Sequence, residues 1–166
     1  MRIHYWNNDA LCPGGNFGDK LNTWLWPRLI PDLVNNDDDI VLLGIGTILN
    51  NQVDRNRKIR VFGSGAGYGN KPEITGNWKI YCVRGPLTAK ILGLDESMAV
   101  TDPAVLISQF VNRDDQTRNK YKTAFIPHWQ TPLFPWQDAC RLAGIHYIDP
   151  TQEVDTIIDQ IGSSAR

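Results

Sequence analysis

Short runs rich in β-branched and aromatic residues recur along the chain, each followed by a turn containing glycine or proline. The first, Arg2-Ile3-His4-Tyr5-Trp6, predicts a strand within 1–6. It leads into Gly14-Gly15-Asn16-Phe17-Gly18-Asp19, after which Leu21, Trp24, Leu25 and Leu29 recur at helical spacing up to Pro31. Beyond a polar turn at 35–39, the continuous apolar run Ile40-Val41-Leu42-Leu43 is that of a strand covered on both faces, as in parallel sheets. Thr47-Ile48-Leu49 predicts the opening of a short helix, and 50–58 a polar surface connection. Ile59-Arg60-Val61-Phe62 and Trp78-Lys79-Ile80-Tyr81-Cys82-Val83 predict two more strands. A helix opened by Pro86 follows, with Leu87, Ile91 and Leu94 as its apolar stripe and Gly93 near its end. Met98-Ala99-Val100 then reads as a further short strand.

The charged stretch around 112–120 interrupts this rhythm, and the pattern restarts after it. Strands are expected at 123–126 and 145–148, and helices at 134–142 and 151–161, the last capped by Thr151. Strands alternating with helices make the class α/β with a parallel sheet flanked by helices. The expected organisation is a first lobe at 1–112, a linker at 113–120 and a partial second lobe at 121–166.

Composition narrows the function classes. The 166 residues carry 17 basic and 18 acidic side chains, so no excess of charge suggests a grip on nucleic acid. Three cysteines without C-x-x-C spacing argue against a disulfide framework and against a zinc site. Six tryptophans and five tyrosines suit either sugar stacking or a packed core. No basic-then-apolar leader and no long apolar run is visible, so a soluble, cytoplasmic protein is expected.

Candidate chemistry gathers where strands end. The turn 14–19 either brings helix N–H donors to an anionic ligand or is a plain helix start with Asp19 as N-cap. Gly63-Ser64-Gly65-Ala66-Gly67-Tyr68-Gly69 holds four glycines in seven residues, which weakens regular structure but permits positive φ or a close backbone approach. Arg84 follows a strand directly, where it either clamps a carboxylate or phosphate or pairs with an acid. Asp102 is a turn-former before Pro103 or a base facing a cleft.

Taken in order, several stretches resemble the polysaccharide pyruvyl transferase family: Asn16-Phe17-Gly18-Asp19, Gly44-Ile45-Gly46-Thr47-Ile48-Leu49, Val61-Phe62-Gly63-Ser64-Gly65-Ala66-Gly67, Val83-Arg84-Gly85-Pro86-Leu87-Thr88, Leu92-Gly93-Leu94, Thr101-Asp102-Pro103-Ala104 and Ile126-Pro127-His128-Trp129. The resemblance implies two Rossmann-like lobes of GT-B type. It also implies transfer of a pyruvyl group from phosphoenolpyruvate to two hydroxyls of a saccharide, giving a cyclic ketal and phosphate, with neither metal nor organic cofactor. The acceptor in bacterial members is often lipid-linked, which adds peripheral membrane association to the expected partners.

Carried over by position, the resemblance makes Asn16, Gly18 and Asp19 shape the cleft, with Asp19 a catalytic candidate. Gly63, Ser64 and Gly65 would bind substrate through backbone and hydroxyl groups. Arg84 would be the cationic clamp, Asp102 would line the site, and His128 would be the acid/base, since imidazole titrates near neutrality. His4 and His146 fall within predicted strands and read as structural. The family motif Ser-x-x-His-Gly has only its first half here, Ser163-Ser164-Ala165-Arg166, with Arg166 aligned to a donor-binding arginine. The expectation is therefore a chain truncated within the second lobe, with little activity alone and a tendency to homo-oligomerise through exposed apolar edges. Competing readings are a GT-B glycosyltransferase using a nucleotide sugar, and a non-catalytic saccharide-binding or assembly module.

Overall fold

The structure, a computed structural model, describes residues 1–7, 10–12, 15–34, 39–111, 120–131 and 135–164. Residues 113–119 of the expected linker, Gly14 and Arg166 lie outside these residues. The described parts of Met1–Asn7 and Gly18–Ile107 form one compact unit, and those of Asn8–Phe17 and Ser108–Arg166 a second.

The first unit is built on four parallel strands, β1 (Arg2–His4), β2 (Ile40–Leu43), β3 (Lys58–Phe62) and β4 (Trp78–Cys82), ordered along the sheet as they are along the chain. Val83 extends the pairing by a single parallel bridge to Ala99. Alternation along β2 and β3 decides what each face meets. Val41, Leu43, Ile59 and Val61 point to one side, where Ile48, Leu49, Val83 and Ala89 complete a core. Leu42 points to the other, under Trp26 of helix α1 (Phe17–Leu29). Leu43 and Val61 are wholly buried, and each such side chain contributes about 1.5–3 kcal/mol relative to exposure. Because the strand order never reverses among these strands, they hold no topological switch point of the kind that opens a crevice in doubly wound sheets.

Several expectations are corrected. Helix α1 begins at Phe17, so Asp19 lies in its first turn and is not its cap. Residues 47–49 form no helix, and the Leu49 N–H donates to the Gly65 carbonyl at the β3 exit instead. Helix α2 (Pro86–Leu92) buries Thr88 and Ala89, while Leu87 is 77% exposed and Ile91 42%. A seven-residue helix shows the sheet too narrow an arc for the Leu87/Ile91 stripe, and the small residues pack closest. Its end is as expected, with Gly93 at φ 70°. Residues 96–98 form a 3₁₀ turn, leaving only Ala99 to pair with the sheet.

The second unit holds a two-stranded parallel sheet, β5 (Ala124–Phe125) with β6 (His146–Tyr147), and helices α3 (Trp136–Leu142) and α4 (Val154–Gly162). Cys12, Cys140, Ile148, Val154, Ile157 and Ile158 are among its buried apolar residues. Thr151 does not cap α4: Glu153 holds the cap position, and Thr151 instead hydrogen-bonds the Asp149 carboxylate. His146 stacks flat on Tyr121 with centroids 3.5 Å apart and hydrogen-bonds Gln160 at 2.8 Å, a structural role. None of the described helices is long and apolar enough to cross a membrane.

Candidate functional site

The exits of β2, β3 and β4 are stitched together by hydrogen bonds between residues far apart in the chain. Asn22, fully buried on α1, anchors the first of them. Its amide oxygen accepts from Ile45 N–H at 2.9 Å and from the Trp26 indole N–H at 3.0 Å. Its amide nitrogen donates to the Ile45 carbonyl at 3.0 Å and to the Asp19 carbonyl at 3.2 Å. Gly44 lies beneath Trp26, where a Cβ would come within 2.3 Å of the indole nitrogen. Gly46 follows at φ 119°, and a Cβ there would lie 3.8 Å from the Asp19 carboxylate. The β2 exit is thus clamped to α1, with Asp19 beside it.

The β3 exit is held by the other two. Gly63 N–H donates to the Cys82 carbonyl, Gly65 N–H to the Gly46 carbonyl, and Ala66 N–H to the Thr88 hydroxyl, at 2.9, 2.9 and 3.2 Å. Ser64 is fully buried and its hydroxyl donates to the Gly44 carbonyl. The expectation that this loop offers these groups to a substrate is therefore corrected: they tie the strand exits to one another. The glycines serve close approach instead. Gly63 sits at φ 80° with Pro103 where a Cβ would be. At Gly65 a Cβ would fall 2.3 Å from Arg84 Nη2 and 2.5 Å from its Cζ.

Arg84 occupies that seat. Its backbone N–H donates to the Ser64 carbonyl at 3.1 Å, and Nη2 donates to Thr47 Oγ1 at 2.9 Å. Nη1 stands 4.0 Å from Asp102 Oδ2, with the two side chains 36% and 34% exposed. The turn-forming alternative for Asp102 is realised, since its other oxygen accepts from Ala104 N–H at 2.9 Å and starts the 3₁₀ turn Pro103–Gln109. The guanidinium is a planar fork with more donors than Thr47 uses. Held by a hydroxyl and a glycine surface, and partly open to solvent, it is equipped to take a carboxylate or phosphate in a defined orientation. Cys82, whose carbonyl takes the Gly63 N–H, is buried, and burial pushes its thiol pKa up against a smaller opposing effect of the Gly63 amide, which disfavours the thiolate.

Of the residues nominated from sequence, Asp19, Gly63, Ser64, Gly65, Arg84 and Asp102 belong to this one cluster of strand exits, and Gly18 precedes Asp19 in the first turn of α1. Asn16 and His128 belong to the second unit. Asn16 is buried there, and the neighbouring Phe17 N–H donates to the Pro150 carbonyl at 2.8 Å, so this donor of the α1 N-terminus is already used. His128 is exposed after β5, and its Nδ1 accepts from Gln130 N–H at 3.2 Å. A neutral ring in that arrangement carries its proton on Nε2. Thr47 and Asn22 were missed. Asn22 had a signal, a polar residue at helical spacing from Leu25 and Trp26 on a buried face; Thr47 had none.

These features define an α/β protein whose parallel strands deliver glycine-rich turns around one seated arginine. Among the described residues no group of three or more potential metal ligands converges. In sequence the chain is similar to the succinoglycan biosynthesis protein ExoV of Rhizobium meliloti (strain 1021), 37% identical over 169 residues covering 99% of this chain and 52% of that protein. The chain therefore spans about half the length of the curated relative it matches. No family model and no solved structure matches it.

Proposed function

We propose that this chain is part of a polysaccharide pyruvyl transferase acting in exopolysaccharide biosynthesis. The observation that carries the reading is the Arg84 guanidinium, seated on Gly65 and fixed by Thr47 among three glycine-rich strand exits. Similarity along the whole chain to a succinoglycan biosynthesis protein supports the biosynthetic context. Phosphoenolpyruvate carries a carboxylate and a phosphate, and Arg84 supplies a preorganised cation for either. Two saccharide hydroxyls add to the enol carbon as the C–O bond to phosphate breaks. Of the two hydroxyl protons, one ends on the terminal carbon, which becomes a methyl group, and the other on the departing phosphate.

Asp19, at the edge of the β2 exit, is the proposed acceptor of a hydroxyl proton. His128 is the proposed acid/base, and Asn16 and Arg166 are further proposed binding groups. Ser64 acts by holding the strand exits together. Gly18 is proposed to shape the cleft beside Asp19, Gly63 gives the backbone its path, and Asp102 lies beside the clamp. The proposed fold is a GT-B-like arrangement with a Rossmann-like first lobe, working in the cytoplasm.

The test is phosphate release by the natural full-length protein, measured with phosphoenolpyruvate and a panel of saccharide acceptors. Release that requires both substrates and is abolished by Arg84→Ala supports the reading. No release across the panel, together with calorimetric binding of a nucleotide sugar and none of phosphoenolpyruvate, would replace it with a glycosyltransferase.

A further inference from the structure

We propose that Asp102 is a built-in competitor for Arg84, occupying the guanidinium until an anionic substrate displaces it, and that Thr47 is the positioning residue that keeps the guanidinium in its seat during the exchange. The inference rests on the reading of Arg84 as the anion clamp.

Three features of the geometry separate the two neighbours of the guanidinium. Thr47 Oγ1 lies at full hydrogen-bond distance, 2.9 Å from Nη2, whereas Asp102 Oδ2 stands 4.0 Å from Nη1, the outer limit of an ion pair. Asp102 is anchored elsewhere, because its second oxygen accepts from Ala104 N–H at the start of the 3₁₀ turn. It can therefore release Arg84 without losing its own place. Both side chains are about one third exposed, so the pair is solvent-screened and weak. A carboxylate or phosphate that reached the fork at bidentate hydrogen-bond distance would win against it. Gly65 completes the device, since its bare backbone leaves the guanidinium the seat that a Cβ would occupy.

The consequence is selectivity. A strong anion displaces Asp102 more readily than a weak or neutral ligand does, so the empty site is partly neutralised and weak ligands are disfavoured by about two- to fivefold.

Binding of phosphoenolpyruvate and of inorganic phosphate to the natural full-length protein, followed by calorimetry, tests this. Asp102→Asn keeps the acceptor for Ala104 and removes the competing charge, and tightens binding about two- to fivefold, the range expected for a partly exposed ion pair. Asp95→Asn, which removes a carboxylate elsewhere in the same unit, leaves affinity unchanged. Thr47→Val weakens binding and Thr47→Ser restores it. Loss of binding in Arg84→Ala combined with unchanged or weaker binding in Asp102→Asn, or equal tightening in Asp95→Asn, overturns the competitor role and leaves the clamp standing. Failure of Thr47→Val to weaken binding overturns the positioning role. Unchanged binding in Arg84→Ala, or none by the wild type, removes the clamp reading and this inference with it.

Discussion

Replacing Asn22 with leucine is the most demanding test of how the strand exits are held. Leucine keeps the branching and the number of side-chain heavy atoms, so the change fills the same site and removes hydrogen bonds. Asn22 is fully buried, and its amide serves Ile45 N–H, the Ile45 carbonyl and the Trp26 indole N–H, the two residues themselves being 5% and 3% exposed. The Asp19 carbonyl, also served, lies within a helix whose ladder offers another donor. Three buried polar groups would be stranded, each at about 1–3 kcal/mol. After local relaxation the expected loss is about 3–5 kcal/mol, a large share of the ~5–15 kcal/mol by which a domain is stable. Urea denaturation followed by tryptophan emission and circular dichroism should show it, with a fall in Tm of about 10 °C or more. A loss below about 1 kcal/mol would mean that solvent or backbone adjustment satisfies these groups, and that Asn22 does not anchor the β2 exit.

Gly65→Ala should act on binding and spare the fold, because the added methyl meets the flexible end of Arg84 at 2.3 Å and the guanidinium moves aside. Thermal stability should change by less than ~1 kcal/mol while phosphoenolpyruvate binding falls about tenfold, the worth of one charge-assisted hydrogen bond. Helix α2 offers a paired check on its orientation: Leu87→Ser should alter stability by no more than about 0.5 kcal/mol, and Ala89→Leu should cost about 1–3 kcal/mol by overpacking, both read from denaturation midpoints. Cys12, Cys82 and Cys140 are all buried, so an aromatic disulfide reagent at neutral pH should label them only as the protein unfolds; fast labelling of the native protein would contradict that burial.

Much of the first unit was legible along the chain. Ile40–Leu43 is a strand because its apolar run is covered on both faces, whereas Lys58–Phe62 and Trp78–Cys82 alternate between a more buried and a more exposed face, and all three are stopped by glycine or a charged turn. Pro86 and Gly93 bracket α2 because one is preshaped for a first helical turn and the other accepts a left-handed backbone. The clustering of Asp19, Gly65, Arg84 and Asp102 could be anticipated only from where strands end. What was misread shares a cause. Thr47-Ile48-Leu49 resembles a helix start locally, but Leu49 N–H is taken by the Gly65 carbonyl. Leu87 and Ile91 form a convincing stripe, yet the sheet is met by Thr88 and Ala89.

Local pattern alone determined the α/β class, the parallel strands and the positions of the glycine-rich turns, since periodicity and backbone preference act over a few residues. Only the tertiary structure decided that Ser64 is a tie, that Gly65 is a seat for a guanidinium, and that Thr47, 37 positions from Arg84, holds it in place. Such contacts join residues far apart in sequence, and their energies depend on burial and distance, which no short window of residues records.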